Sequence, residues 1–434
     1  MLSDQLAEVG GLQTMRGELK APPQVSWTNP KGTRSVPGGV TAARGFAASG
    51  VAAGIKSASG KLDLACIFAD RPSPWAATLT TNRFAAAPVK LARELLRRGG
   101  ALQAVLVNSG NANAATGPEG DRRARAVVAA VARVLELPAS RVFVSSTGII
   151  GRPLPVDRIV RAVPDAVRCL EASGGGLAAQ AIMTTDTFAK EVALEFRIAG
   201  RPVRIGGMCK GAGMIHPRMA TMLAYLTTDA VVPQGLLRTL LAAAVARTFN
   251  RINIDGDQST NDTVLLMAGG ASGARVPASG PDRALFAAAL GEVCRRLAEL
   301  IVRDGEGATK LVEVAVTGAR NDADALLVAD AVANSKLVKT AWFGRDLNWG
   351  RMAAAVGYAG VRLDPEKVSI SLNGRAVAAG GRAVPPARLA RAAREMQEPV
   401  LRFVIDLGMG KGADRVLTCD LTHDYVSINA EYPT

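Results

Sequence analysis

Five short segments of the chain concentrate small hydroxyls, glycines and amides: 108–117, 145–151, 184–187, 210–228 and 253–263. Stretches of this kind aim backbone N–H groups and hydroxyls at a substrate, the arrangement that stabilises developing negative charge. The same residue types also make turns, N-caps and glycine-driven bends, so no segment decides the matter alone. Other chemistries lack their parts. The sequence contains no HExxH pair, no cysteine-rich zinc signature, no Gly-x-Ser-x-Gly elbow and no Gly-x4-Gly-Lys-Ser/Thr phosphate loop. It has only two histidines, His216 and His423, so a Ser-His-Asp or Cys-His mechanism needs one of them beside a nucleophile. His216, between Ile215 and Pro217, reads as a packed or solvated turn residue.

The elements that must hold these segments follow from hydrophobic periodicity. Strands are expected at 62–68, 75–80, 104–107, 141–145, 192–198, 203–208, 263–268, 311–317, 368–372, 400–406 and 413–419, with an apolar strand continuing from Met222 through Leu226. Helices are expected over 86–98, 121–135, 235–249, 282–303, 322–334 and 386–395. Strands and helices interleave along the whole chain, and several strands alternate polar and apolar residues, which points to an antiparallel or mixed sheet covered by helices. Residues 1–35 mix Gly, Pro, Gln and charges without periodicity and read as a flexible amino-terminal arm.

Composition narrows the class. With 434 residues, 48% of them hydrophobic and 21% charged, the chain is long enough for two lobes or one large α/β body with a sizeable core. The net charge of +14 raises a nucleic-acid reading, but the basic residues are scattered, with no run of five or more Lys/Arg and no interleaved aromatics; anionic small substrates suit it better. Five widely spaced cysteines without a Cys-x-x-Cys pair suggest a reducing compartment. No apolar stretch approaches the roughly 20 residues needed to span a bilayer. The first residues carry Asp4 and Glu8 rather than a secretion signal, so the expected address is the cytoplasm.

The run from Lys210 to Leu223, with Met219-Ala220-Thr221-Met222-Leu223 at its core, resembles the self-cleavage signature of the ornithine acetyltransferase family of arginine biosynthesis. Agreement continues in order through Val36–Thr41, Thr80–Arg83, Asn108–Asn113, Ser146–Gly148, Ile182–Thr187, Phe249–Arg251, Asp255–Asp257 and Ser259–Thr263. It extends over Asp304–Gly307, Lys336–Ala341, Asn348–Arg351, Cys419–Thr422 and Asn429–Thr434. Departures are Ala115, where cysteine is usual, Ala212, where serine is usual, and His216 and Arg218 just before the cut.

The resemblance implies layered sheets flanked by helices in an α/β fold of the self-cleaving, amino-terminal-nucleophile type. The chain would be cut between Ala220 and Thr221 into fragments 36–220 (with the arm) and 221–434, two copies of each assembling together. Thr221 would be the nucleophile, Thr147 and Gly148 the oxyanion hole, and Thr184, Lys210, Thr221, Glu306, Asn429 and Thr434 the substrate-binding residues. Lys210 would pair the substrate carboxylate and Glu306 would receive the δ-amine of ornithine. Read as chemistry, the cut gives one residue both a hydroxyl and an α-amine, and an amine with a pKa of about 7.7 to 8.0 serves as the base a threonine needs. Acetyl would pass from N-acetylornithine to Thr221 and on to glutamate, shielded from water by loops such as 108–117. No metal or cofactor is implied, with acetyl-CoA a further potential donor. Lys210, Glu306 and the Asn429–Thr434 tail favour an amino-acid substrate over a self-cleaving relative working as an aminopeptidase or as an acyltransferase of another pathway. The remote alternative, a basic nucleic-acid-binding protein, rests on net charge alone.

Overall fold

Strands Leu223–Thr228 and Thr263–Ala268 are apolar on both faces, and period-2 alternation sends their side chains into two different cores. Leu223, Tyr225, Leu265 and Met267 enter one core, while Ala224, Leu226, Val264 and Leu266 enter the other. In the computed structural model, which describes residues 20–21, 23–56, 60–216 and 222–431, these two strands are a parallel pair in the interior of a six-stranded sheet. Its order is Arg34–Ser35, Lys190–Ile198, Arg201–Lys210, Leu223–Thr228, Thr263–Ala268, Trp75–Leu79.

One face of this sheet packs on a four-stranded sheet ordered Phe46–Val51, Leu64–Ser73, Leu102–Asn111, Val142–Ile149. The other face packs on helices Gln234–Arg247 and Pro281–Arg303. The four-stranded sheet alternates in the same way. Ala65, Ile67, Val105 and Val107 turn inward, while Leu64, Cys66, Ala104 and Leu106 turn out beneath helices Ala87–Arg98, Gly117–Val134 and Val156–Arg168. The result is helices, sheet, sheet, helices: four layers in which both sheets are buried on both faces, the layered α/β architecture the sequence points to.

A second six-stranded sheet follows, ordered Arg382–Ala383, Arg375–Ala379, Ser369–Leu372, Val400–Asp406, Leu311–Ala319, Gly412–Cys419. It packs on helices that include Asp322–Asn334, whose Asn321 cap accepts the Asp324 N–H at 2.8 Å. Arg251 ties it to the first body through Asp414, and Lys339, fully sequestered on helix Lys336–Phe343, donates to Thr418 Oγ1 at 2.9 Å. Among the described residues no helix is long and apolar enough to cross a membrane.

Every expected strand and helix is present, with shifted ends. Helix Gly117–Val134 starts a turn early because Pro118 sits in its first turn, where a missing N–H costs nothing. Among the described residues five helices are unanticipated, His423–Glu431 and four that have local reasons. Val156–Arg168 contains Pro164, Gly175–Ala181 opens on glycines, and Lys336–Phe343 and Trp349–Gly357 are short, set by Ser335 and Asn348 caps. The arm, expected as residues 1–35, lies partly outside the described residues. Its described portion is fastened: Lys20 N–H donates to Thr187 O at 2.9 Å, Trp27 Nε1 to Glu299 at 3.1 Å, and Arg34–Ser35 pairs on the sheet edge.

Candidate active site

The parallel pair Leu102–Asn111 and Val142–Ile149 sets Gly110 opposite Gly148, and the register slips just beyond, where Asn111 faces both Thr147 and Ile149. Gly148 has φ +129°, and a Cβ there would stand 2.4 Å from the Gly110 carbonyl carbon, so only glycine allows the two backbones to close. The amides nearby fasten backbone. Asn108 accepts from Ser146 Oγ at 2.6 Å and donates to Asn111 O at 2.9 Å, and Asn111 Oδ1 accepts the Asn113 N–H at 2.8 Å. Thr147 differs: it is buried, and its hydroxyl makes no hydrogen bond among the described residues.

Lys210 and Leu223 are Cα partners in neighbouring antiparallel strands, so 211–222 is the connection between them. Two carboxylates and one backbone N–H pin the near part of it. Asp186 Oδ1 accepts the Gly211 N–H at 2.7 Å, Glu306 N–H donates to Ala212 O at 2.8 Å, and Asp255 accepts the Met214 and Ile215 N–H groups at 2.5 and 2.9 Å. On the far side, Asp262 Oδ1 accepts the Met222 N–H at 3.0 Å. Its neighbour Asn261 donates to Ser146 O at 2.8 Å and Ala112 O at 2.7 Å. Loop 255–262 thus joins both shores of the connection to the strand that carries Thr147 and Gly148.

Asp186 gathers the rest. Its Oδ2 accepts the Thr184 N–H at 2.9 Å and lies 4.0 Å from Lys210 Nζ, while Oδ1 receives Lys190 Nζ at 2.6 Å. Lys190, with no exposed surface, also reaches Asp304 at 2.5 Å. Asp304 caps the carboxy end of helix Pro281–Arg303, two residues before Glu306, and Glu306 Oε2 accepts from Asn429 Nδ2 at 2.8 Å. Gly213 lies close beside it: a Cβ there would stand 2.4 Å from the Glu306 carboxylate, which would have to shift.

Burial would push the Asp186 carboxyl up, but Lys190, Lys210 and the Gly211 N–H outweigh it and hold it well below the usual range. Burial likewise opposes the Lys190 charge, and Asp186 and Asp304 overcome it and raise the ammonium. Asp304 stays above its ordinary value, burial and the like charge of Asp186 prevailing over Lys190. Lys210 is pushed down by burial, with Lys190 adding to the effect and Asp186, Glu306 and Asp262 resisting it. An ammonium so placed gains from any anion that arrives beside it.

Of the expected site residues, Thr184, Lys210, Glu306 and Asn429 therefore converge, and Thr147 and Gly148 are linked to the same connection through Asn261. Ala220, Thr221 and Thr434 lie outside the described residues. Sequence reasoning assigned no role to Asp186, Lys190, Asp255, Asp262 or Asp304, although four of them stand inside the quoted motifs. The only available signal was a charged residue within a small, polar run. Asn429 sits on helix His423–Glu431 rather than in a loose tail.

Residues 47–434 match the ArgJ family. The chain is 46% identical over 401 residues to the arginine biosynthesis bifunctional protein ArgJ of Gloeobacter violaceus, covering 92% of this chain and 98% of that one. It is 48% identical over 400 residues to the protein of the same name from Symbiobacterium thermophilum, covering 92% and 99%. Among solved structures, ornithine acetyltransferase from Mycobacterium tuberculosis complexed with ornithine is 45% identical, with a TM-score of 0.39, covering 43% of this chain and 98% of that chain. Family match and relatives agree with the motifs that run from Val36 to the final residue: the chain belongs to the ArgJ family.

Proposed function

We propose that this protein is an acetyltransferase of arginine biosynthesis that cuts itself between Ala220 and Thr221 and moves acetyl from N-acetylornithine to glutamate through acetyl-Thr221. The observation that carries this reading is the convergence of Thr184, Lys210, Glu306 and Asn429 on the strand connection that ends at Met222. The buried Lys210 ammonium and the Glu306 carboxylate at the same place suit an amino acid that presents both a carboxylate and a distal amine. The names of relatives at 46–48% identity, bifunctional proteins of arginine biosynthesis, support the pathway.

The hydroxyl of Thr221 attacks the acetyl carbonyl while its α-amine takes the proton. Thr147 Oγ and the Gly148 N–H receive the negative oxygen, ornithine leaves, and glutamate attacks the acetyl ester in its turn. The reaction so written needs no metal or cofactor, and acetyl-CoA is a second potential donor to the same hydroxyl. The proposed assembly is two copies each of fragments 1–220 and 221–434, and the proposed address is the cytoplasm. Initial rates with N-acetylornithine and glutamate both varied test the scheme: parallel double-reciprocal lines are expected, and intersecting lines would rule out a free acetyl-enzyme.

Two substitutions separate the roles. Thr147→Ala should lower turnover by about 10²–10³, with little change in KM, because its hydroxyl acts only on charge that develops in the transition state. Glu306→Gln should weaken N-acetylornithine by roughly 10- to 100-fold, the worth of a hydrogen bond to a charged group, while KM for glutamate does not rise. Steady-state kinetics of each variant with each substrate read both outcomes.

A further inference from the structure

The α-amine of Thr221 serves as base in acetyl transfer, but it does not exist until the Ala220–Thr221 bond has been broken. The first cut needs another proton acceptor. Both histidines make their contacts elsewhere. His216 Nε2 lies 3.5 Å from Asp330 and 3.4 Å from Asn334, and the His423 ring packs edge-on against Phe343 at 5.5 Å.

Asp262 is differently placed. It immediately precedes strand Thr263–Ala268, whose first residue is the Cα partner of Leu223, so it stands level with Met222, the residue after Thr221. Its side chain is fully buried. Oδ1 accepts the Met222 N–H at 3.0 Å, whereas Oδ2 has no hydrogen-bond partner among the described residues. The Thr80 hydroxyl beside it donates to Ser259 O at 2.7 Å. A buried carboxylate oxygen left unpaired is costly and calls for a reason. Burial pushes this carboxyl well above its ordinary value, opposed by the Met222 N–H, the Thr80 hydroxyl and the charge of Lys210.

We propose that Asp262, holding the Met222 N–H with one oxygen, is the proton-accepting carboxylate of self-cleavage through the other; this rests on Thr221 being the nucleophile. Oδ2 takes the hydroxyl proton of Thr221 as Oγ bonds to the Ala220 carbonyl carbon. The proton then passes to the Thr221 nitrogen as the carbon–nitrogen bond breaks, leaving an ester. Water hydrolyses the ester, its hydroxyl completing the Ala220 carboxyl and its proton returning to Oγ. Asp255, which holds the Met214 and Ile215 N–H groups, positions the near shore of the same connection.

The test is the rate at which newly synthesised full-length chain yields its two fragments, followed by intact mass. Asp262→Asn should slow it by about 10²–10⁴-fold, the usual contribution of a general base. Asp262→Glu should restore part of the rate with a shifted pH profile. In the parent the rate should rise with pH through an ionisation above that of an ordinary aspartate. Cutting of Asp262→Asn at the parental rate, or a parental rate flat from about pH 4 to 8, would overturn the proposal. If Asp262→Asn does not fold, the parental pH profile and the Glu variant still decide. Thr221→Ala run alongside separates the two claims, since cutting there would instead remove the Thr221 reading.

Discussion

Thr221→Ala leaves one uncut chain and abolishes acetyl transfer. The alanine removes the hydroxyl that attacks the Ala220 carbonyl, so no new amino terminus forms; it also removes the group that would carry acetyl, so turnover falls by roughly 10⁶, the scale of losing a nucleophile outright. The fold should tolerate the change, because the strands on either side are anchored independently. Lys210 pairs with Leu223, and Met222 is held by Asp262. Intact mass and transfer assays on the purified variant read both effects. Thr221→Ser, which keeps a hydroxyl, should still cut and transfer.

The largest effect on stability is expected at Lys190. Its ammonium, with no exposed surface, lies 2.6 Å from Asp186 and 2.5 Å from Asp304, and its other polar neighbour is the Phe188 carbonyl at 3.5 Å. Lys190→Met fills similar space but strands two buried carboxylates near each other, a loss of about 3–5 kcal/mol for breaking a buried ion pair. Chemical denaturation of parent and variant measures it. Adding Asp304→Asn should recover part of the loss, since one of the stranded charges is then gone. The pH dependence has a definite sign. Lys190 is held above its ordinary value, so its contribution is complete below about pH 10.4 and disappears as pH rises through the folded-state value. Asp186 is held below its own, so its contribution is present above about pH 3.9 and fades as pH falls toward the lower folded-state value. The parental melting temperature should therefore decline at both ends, and Lys190→Met should lose the alkaline decline.

The parallel strands Leu223–Thr228 and Thr263–Ala268 could be read from sequence because their burial on both faces writes an apolar run, and the long helices because their apolar stripe recurs every turn. What could not be read is the pairing. Nothing in Thr184–Thr187 says that Asp186 reaches across to Gly211 and Lys210, because those partners are fixed by sheet order rather than by spacing. Asn108 to Asn113 looked chemical and proves largely structural, its amides spent on backbone oxygens and N–H groups. Lys339 and Asp420 in the later motifs act similarly: Lys339 ties a helix to Thr418, and Asp420 accepts the Thr309 and Lys310 N–H groups at 2.9 and 3.0 Å. Short helices escaped because caps such as Ser335 and Asn348 sit in runs too brief to show a period.

The acetyl-enzyme is the intermediate on which the proposed mechanism stands. Purified protein incubated with N-acetylornithine in the absence of glutamate, digested and sequenced by mass spectrometry, should show one acetyl group on the hydroxyl of Thr221 at the amino terminus of fragment 221–434, and glutamate should discharge it. A fragment that begins at Thr221 but never carries acetyl while transfer proceeds would contradict that mechanism.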